Sequence, residues 1–325
     1  MKRILSFLFL LSLILSACGE QAITPVVTAE PTEVIDLGPV IYTDSSQPIE
    51  ARVEDLLKRM TLDEKIGQMT QIEKNSIRSG DITKYFIGSI LSGGGGSPAK
   101  NTPQAWYEMV EGFQLETLDT RLGIPMIYGV DAVHGHGNLL NATIFPHNIG
   151  LGATNNPELV EKIGRATAEE ILATGIPWNF SPVIAVVQDV RWGRTYEGFS
   201  ENTESVTALG TAYIKGMQTL EASDAATPGQ SIFTLATPKH FLGDGATIWG
   251  SSRTERYELD QGNMQVPEEV FARVISTSLQ KCSGCGRNER NDLLQQLEGH
   301  EDACRAIFSE RSSQRRTRFQ RLHRF

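Results

Sequence analysis

Three apolar stretches along the chain end in the same way, with charged side chains followed by glycine. The first runs from Ile124 to Val130 and ends at Asp131, just before a glycine-rich loop. The second, Trp178–Val187, leads into Q-D-V-R-W-G-R, and the third, Phe233–Phe241, leads into L-G-D-G. Short apolar runs that contain β-branched residues are typical of buried strands. The pattern therefore predicts strands that carry polar side chains at their carboxyl ends, as in a parallel barrel.

Segments with helical periodicity separate these strands. Thr61 lies three residues before Glu64, which is the spacing of an N-terminal capping box. Two shorter apolar runs, Ile66–Ile72 and Ile87–Leu91, are candidates for the first two strands. Strand and helix alternate throughout, which favours a parallel sheet with crossover helices. The predicted helices cover Val53–Met60, a segment beginning at Thr61, Pro103–Leu122, Pro157–Thr174 and Thr203–Leu220.

The N-terminus has the features of a secretion signal. Lys2 and Arg3 precede the apolar run Ile4–Leu15, which is too short to span a membrane as a mature helix. Small residues directly before Cys18 resemble a bacterial lipoprotein signal, in which that cysteine is lipidated. The alternative is an ordinary secretory signal cleaved nearby. Residues 19–48, rich in Pro, Thr and Val, predict a flexible tether before a globular domain that begins near Ile49.

Composition limits the classes of ligand. The chain has 325 residues, 40% hydrophobic and 21% charged, which is ordinary for a globular protein. Its formal net charge of -9 argues against a nucleic-acid partner and suits a neutral ligand such as a sugar.

Four motifs in order resemble glycoside hydrolase family 3, of the β-glucosidase type. They are M-T-L-D-E-K-I-G-Q-M (60–69), G-V-D-A-V-H-G (129–135), R-W-G-R-T-Y-E (191–197) and K-H-F-L-G-D-G (239–245). The resemblance runs from about Ile49 to Val270. It implies a (β/α)8 TIM-barrel-like domain, of which residues 49–273 supply about the first five strands. It also implies removal of a terminal β-linked sugar with retention of configuration, without a metal or organic cofactor.

The resemblance also implies a set of sugar-binding residues. Asp131 matches the family's acceptor for the outer hydroxyls of the bound glucose. Arg194, Lys239 and His240 match its donors, and Arg191 is interpreted as a support. These residue types suit the task, because sugar hydroxyls require acceptors and charged donors held in one pocket.

Other roles for these and nearby residues remain open. Asp131 could instead cap a helix, and Lys239-His240 could be an exposed polar strand end. We interpret His134 and His136 as structural hydrogen-bonding residues of the loop. Asp244, between two glycines, is interpreted as part of a turn rather than as a catalytic carboxylate.

Two alternative functions are distinguished by their motifs. The family branch that cleaves N-acetylglucosamine has Gly-His-Gly and a later Asp-Ser-His, whereas this chain has Gly243-Asp244-Gly245 and no Asp-Ser-His. The glucosidase branch is therefore the better match. The second alternative is a cell-surface sugar-binding lipoprotein without catalysis.

The two catalytic carboxylates implied by the resemblance have no counterpart in this sequence. Retaining hydrolysis requires a nucleophile and an acid/base about 5 Å apart. The family's nucleophile is an Asp after Val-Ser, beyond the Lys-His motif, and its acid is a Glu in a second domain. Neither motif occurs here, so we expect residues 1–325 to be inactive.

The sequence from 274 to 325 differs in composition from the rest. Cys282–Cys304 can be written in codons that, read one base later, give Ala-Val-Asp-Ala-Gly-Ala-Met-Asn-Val-Met-Ile-Ser-Phe, which resembles the family's next strand. Ile307–Phe325, shifted alike, ends in Phe-Ile-Val-Ser, and a TGA stop would supply the first two bases of the nucleophile's codon. We therefore expect a frameshift between about Phe271 and Leu279, and an out-of-frame tail that does not pack. The alternative is a zinc-knuckle-like site formed by Cys282, Cys285, His300 and Cys304.

Overall fold

A parallel five-stranded sheet forms the centre of the fold, seen in a computed structural model that describes residues 37–218, 234–241 and 243–270. Each strand pairs in parallel with the next one along the chain, and a helix lies in every connection. This is the arrangement of the opening part of a (β/α)8 barrel, so the predicted α/β fold is confirmed. The strands are β1 (Gln71–Glu73), β2 (Ser89–Ser92), β3 (Ile127–Val130), β4 (Trp178–Asn179) and β5 (Leu235–Ala236).

The helices follow the predicted segments with small shifts at their ends. Three of them, absent from the sequence-based prediction, are short helices, two inside connections and one after β5. The helices are α1 (Ile49–Arg59), α2 (Leu62–Gln68), α3 (Asp81–Tyr85), α4 (Pro103–Leu118), α5 (Asn148–Thr154), α6 (Pro157–Ala173), α7 (Thr203–Gln218) and α8 (Glu268–Val270).

The first strand lies later than the sequence pattern predicted. A strand over Ile66–Ile72 is wrong, because α2 continues to Gln68. The predicted capping box is confirmed: the Glu64 carboxylate accepts the Thr61 N–H at 2.8 Å, and the Thr61 hydroxyl accepts the Glu64 N–H at 3.3 Å. This start directs the segment into a helix whose Ile66 is exposed. A short apolar run such as this one is compatible with either a strand or a helix, and here the capping box favours the helix.

The strand β4 is much shorter than its apolar run, which continues to Val187. Pro182 has no N–H to donate to a strand ladder. Beyond it, a single bridge joins Val183 to Lys239, and the Lys239 N–H donates to the Pro182 carbonyl at 3.0 Å. The strands β3 and β5 are also shorter than the apolar runs that predicted them.

Ordered contacts begin before Ile49, where the globular domain was predicted to start. The Asp55 carboxylate accepts the backbone N–H groups of Ile41 and Tyr42, each at 3.0 Å. The Tyr42 hydroxyl donates to the Leu122 carbonyl at 3.1 Å. The end of the predicted tether is therefore hydrogen-bonded to α1 and to the loop after α4.

The apolar core lies between the sheet and its helices. Ile90 of β2 and Tyr128 and Val130 of β3 are fully buried in it. On the helical side, α6 and α7 approach so closely that a Cβ at Gly216 would lie 1.9 Å from the Glu161 carbonyl oxygen. Glycine at this position permits the backbone contact, because it has no side chain to exclude the other helix.

A second, smaller apolar cluster joins the loops that follow β4 and β5. Val183, Val187 and Trp192 from the first loop pack with Leu259 from the second. The Gln188 N–H donates to the Gly245 carbonyl at 2.8 Å, which adds a backbone link between the same loops. These contacts hold the R-W-G-R and G-D-G motifs side by side.

Several predictions fall outside the described residues. They are the signal at 1–18 with Cys18, the first part of the tether, and the tail at 274–325 with its cysteines. Within the described ranges, no helix is both long and apolar enough to cross a membrane.

Candidate active site

Asp131 lies directly after β3, at the carboxyl end of the sheet. Its Oδ1 is 2.5 Å from the Nζ of Lys239, which lies three residues after β5. The Lys239 side chain is only 15% exposed, whereas Asp131 is 39% exposed. The next helix after Asp131 is α5, which begins at Asn148, so Asp131 does not cap a helix. The pair joins the carboxyl ends of β3 and β5 across β4.

A buried asparagine of β4 fixes the backbone next to Asp131. The Asn179 side-chain oxygen accepts the Ala132 N–H at 3.0 Å, and its amide nitrogen donates to the Ala132 carbonyl at 3.1 Å. Asn179 is fully buried, so this amide replaces a missing strand partner inside the core. Sequence reasoning missed it, although a polar residue inside an apolar run was its available signal.

Arg194 lies in the loop after β4 and is held by a carboxylate from its own loop. Its Nε and Nη2 donate to the two oxygens of Glu197 at 2.8 and 2.7 Å. The 3₁₀ turn Thr195–Glu197 brings the two side chains together at a spacing of three residues. Bidentate pairing of this kind fixes the orientation of the guanidinium plane. Glu197 stood within a recognised motif, but its role was not predicted.

His240 lies between Arg194 and Asp244. Its Nε2 is 3.3 Å from the Arg194 Nη2, and its Nδ1 is 2.7 Å from the Asp244 Oδ2. Asp244 does lie in a turn, as predicted, and the flanking Gly243 and Gly245 have φ values of 99° and 85°. Its carboxylate additionally contacts the histidine, which the turn interpretation did not foresee.

The electrostatics of the cluster favour ionised carboxylates. Burial raises the pKa of Glu197, but the hydrogen bond from Arg194 and the charges of Arg194 and Lys239 outweigh it and lower that pKa. The close contact with His240 lowers the pKa of Asp244. The Glu197 carboxylate in turn raises the pKa of Arg194. Each acidic group therefore has a basic partner, and the site presents alternating charges.

The structure thus forms two contacting pairs, Asp131 with Lys239 and Arg194 with His240. The pairs are linked because Lys239 and His240 are adjacent in the chain, and these four residues are called the cluster. Their role in sugar binding stays a prediction. Arg191 lies outside the cluster: its guanidinium pairs with Asp189 at 2.6 Å and stacks over the Trp249 ring.

The two loop histidines make other contacts. The His134 Nδ1 is 2.9 Å from the Phe145 carbonyl oxygen, and the buried His136 bonds through Nε2 to the Thr174 hydroxyl at 3.1 Å. Among the residues described, no group of three His, Cys, Asp or Glu side chains is arranged to hold a metal ion.

Comparison with known protein families identifies one that matches most of the chain. Residues 61–273 match the model for the glycosyl hydrolase family 3 N terminal domain. A lysosomal beta glucosidase of Dictyostelium discoideum is 33% identical over 244 residues, which are 70% of this chain and 29% of that protein. A periplasmic beta-glucosidase of Salmonella typhimurium is 34% identical over 203 residues, 62% of this chain and 24% of its own length.

Solved structures give the same result. The exo-1,3/1,4-beta-glucanase ExoP of a Pseudoalteromonas species is 36% identical with a TM-score of 0.64, over 76% of this chain and 30% of that chain. A beta-glucosidase of Listeria innocua, solved in complex with glucose, is 25% identical with a TM-score of 0.55, over 73% and 32% of the two chains. The chain thus spans about a quarter to a third of the length of these relatives. The family match and the parallel sheet agree: the chain belongs to glycoside hydrolase family 3.

Proposed function

We propose that this chain supplies the sugar-binding part of an exo-acting, retaining β-glucosidase that acts on terminal β-linked glucose. The observation that carries the proposal is the cluster of Asp131, Arg194, Lys239 and His240 at the carboxyl ends of β3, β4 and β5. This end of a parallel barrel is where catalytic sites of the fold lie. The relatives named as beta-glucosidases, and the Listeria innocua enzyme in complex with glucose, support glucose as the ligand.

The cluster has the chemistry that a sugar requires. Asp131 can accept hydrogen bonds from two hydroxyls while its Lys239 partner donates to another. Arg194 is preoriented by Glu197, so less side-chain entropy is lost when it contacts a ligand. Positive and negative groups alternate around the site, which suits a neutral ligand rich in both donors and acceptors.

We further propose that residues 1–325 alone do not hydrolyse glycosides. Retaining hydrolysis needs one carboxylate free to attack the anomeric carbon and another able to donate a proton. In the described cluster, however, Asp131, Glu197 and Asp244 are each paired with a basic side chain. Binding contacts do not replace acid/base catalysis, which contributes about 10²–10⁴-fold on its own.

The out-of-frame origin of residues 274–325 is a proposal of the same kind. It is supported by the family match, which ends at residue 273. Sequencing the genomic DNA that encodes Phe271–Phe325 and the bases that follow tests it. A one-base shift that restores Val-Ser-Asp is the expected result, and an uninterrupted frame that encodes the tail as written would refute it.

Calorimetry with glucose and cellobiose tests the proposed binding. The chain should bind glucose, and Asp131→Ala should weaken binding by at least about tenfold, because the loss of a charged hydrogen-bond partner costs about 1.5–3 kcal/mol. Asp189→Ala is the matched control, since Asp189 pairs with Arg191 outside the cluster. N-acetylglucosamine tests the other family branch. Equal glucose affinities for the wild type, Asp131→Ala and Asp189→Ala would contradict the proposal, and so would binding of N-acetylglucosamine alone.

We also propose that the protein is exported and anchored through lipid at Cys18, on the periplasmic side of a membrane or at the cell surface. The periplasmic location named for the Salmonella typhimurium relative supports export. Mass spectrometry of the mature protein should find a lipidated N-terminal Cys18. An unmodified N-terminus elsewhere would refute the anchor.

A further inference from the structure

His240 is in contact with a donor on one side and an acceptor on the other. Its Nε2 lies 3.3 Å from the Nη2 of Arg194, and its Nδ1 lies 2.7 Å from the Oδ2 of Asp244. A neutral imidazole has one protonated and one bare nitrogen, so the partners on the two sides decide which nitrogen carries the proton.

The Arg194 side determines the state of Nε2. Arginine has only N–H donors and does not lose its proton in proteins. A proton on Nε2 would therefore face another N–H across 3.3 Å. The contact therefore favours Nε2 as an acceptor.

The Asp244 side leads to the same assignment. An ionised carboxylate offers only acceptors, and two acceptor atoms at 2.7 Å would repel each other. A proton on Nδ1 is therefore favoured, although the contact does not meet the geometry of a hydrogen bond. The lowered pKa of Asp244, to which its interaction with His240 contributes most, agrees with an ionised carboxylate.

The G-D-G turn is built to present this carboxylate. Gly243 and Gly245 both have left-handed φ values, of 99° and 85°, a conformation that residues with a Cβ adopt only at a cost. A Cβ at Gly245 would also lie 3.2 Å from the Val186 carbonyl oxygen. The turn is tied to the β4 loop through the Gln188 N–H, which donates to the Gly245 carbonyl at 2.8 Å. Asp244 is therefore fixed relative to the loop that carries Arg194.

We infer that Asp244 is a positioning residue that holds His240 in its neutral Nδ1–H tautomer, so that Nε2 faces the sugar site as an acceptor. The first part stands on the contacts alone, and the second rests on the proposed function. A sugar hydroxyl that replaces the direct Arg194–His240 contact can then accept from Arg194 and donate to the single lone pair of Nε2, since a hydroxyl has one donor and two acceptor positions. His240 thus differs from the donor role that the family resemblance implies.

Nuclear magnetic resonance of the ¹⁵N-labelled chain at neutral pH tests the tautomer directly. Two-bond correlations between ring nitrogens and carbon-bound protons distinguish Nδ1–H, Nε2–H and imidazolium forms, and loss of the signal in His240→Gln assigns it. The expected spectrum shows Nδ1 protonated and Nε2 bare. A ring that is protonated at Nε2, alone or together with Nδ1, would overturn the inference.

Three variants separate positioning from general structural damage. Asp244→Ala removes the partner of Nδ1 and leaves only the long 3.3 Å contact with Arg194 to oppose a proton on Nε2, so the ring should shift toward the Nε2–H form. Asp244→Asn should keep Nδ1–H, because its side-chain oxygen still accepts. Asp189→Ala should leave His240 unchanged. An unchanged tautomer in a folded Asp244→Ala variant would refute the role of Asp244. If that variant does not fold, the wild-type and Asp244→Asn spectra still decide the outcome.

Glucose affinity then separates this inference from the proposed function. Asp244→Ala should weaken binding by about tenfold, within the range for a bond to a charged group, and Asp244→Asn should recover most of it. An Nδ1–H spectrum without glucose binding would sustain the Asp244–His240 contact and refute the sugar site. Glucose binding by a protein whose His240 is protonated at Nε2 would sustain the sugar site and refute the inferred tautomer.

Discussion

Replacing Glu197 by glutamine tests whether Arg194 depends on its carboxylate partner. Two hydrogen bonds of 2.8 and 2.7 Å join the pair, and the Glu197 side chain is only 12% exposed. Glutamine keeps the shape and one acceptor, but its NH₂ group would face a guanidinium donor. A hydrogen bond to a charged group contributes about 1.5–3 kcal/mol. Since Arg194 is 35% exposed, water recovers part of the loss, and we expect the free energy of unfolding to fall by about 2 kcal/mol.

A second carboxylate in the chain supplies the matched control. Glu169 pairs with Arg165 at 3.0 Å on the surface of α6, where the Glu169 side chain is 59% exposed. Exposed pairs at this helical spacing contribute about 0.3–0.5 kcal/mol, so Glu169→Gln should cost less than about 0.5 kcal/mol. Urea unfolding at pH 7, followed by circular dichroism, measures both variants. Equal losses would refute the reasoning that the enclosed bidentate pair is the stronger one.

The difference between wild type and Glu197→Gln should also depend on pH with a defined sign. The pKa of Glu197 in the folded protein lies below its ordinary value of 4.5, because the hydrogen bond and charge of Arg194, together with the charge of Lys239, outweigh the effect of burial. A carboxyl with a lowered pKa stabilises the fold above its ordinary pKa and loses that contribution as pH falls through the folded value. The difference should therefore be complete at pH 7 and shrink below pH 4.5. A difference that grows there would contradict this account.

Three further predictions concern packing, acid stability and the site. Gly216→Ala should destabilise the protein by about 2 kcal/mol through overpacking against α6. Gly112→Ala in α4, whose Cβ would meet nothing within 4 Å, should instead stabilise it by about 0.5–1 kcal/mol. Urea unfolding measures both changes, and changes of the same sign would refute the close contact between α6 and α7. Burial lowers the pKa of His136 to about 4, so as pH falls this histidine is protonated in the unfolded chain before it is protonated in the folded protein. The free energy of unfolding should therefore fall by about 3 kcal/mol between about pH 6.5 and 4. His136→Gln should flatten this pH dependence, and an unchanged dependence would contradict the prediction. Lys239→Met should reduce the glucose affinity measured by calorimetry about tenfold or more, because Asp131 loses its charged partner. An unaltered affinity would mean that glucose does not bind at this pair.

The sequence predicted the elements that depend on local pattern. The capping box at Thr61 and Glu64 is present because it requires only two side chains at fixed spacing. The carboxyl end of β3 was located by an apolar run that ends at Asp131. The run predicted for β5 extended too far, to Phe241, but it contains Lys239, which contacts Asp131. Parallel strands bring such ends together whatever the lengths of their connections.

The parts that were missed depend on partners without a sequence pattern. Asn179 bonds to the backbone of Ala132, and a backbone group gives no signal in the sequence. Strand lengths were overestimated because the ladder beyond Pro182 continues only as isolated bridges, while Val183 and Val187 are buried by packing with loop residues. The contact of Asp244 with His240 depends on the direction of a glycine turn, which a short motif does not determine.

A single titration tests the central claim that these strand ends form the sugar site. Glucose is added to the ¹⁵N-labelled chain while the side-chain nitrogen signals of Arg194, Lys239, His240 and Arg191 are recorded. We expect the first three to shift together with one affinity and Arg191, held by Asp189, to stay in place. A titration in which those three signals do not move, or in which Arg191 moves as far as they do, would contradict the claim.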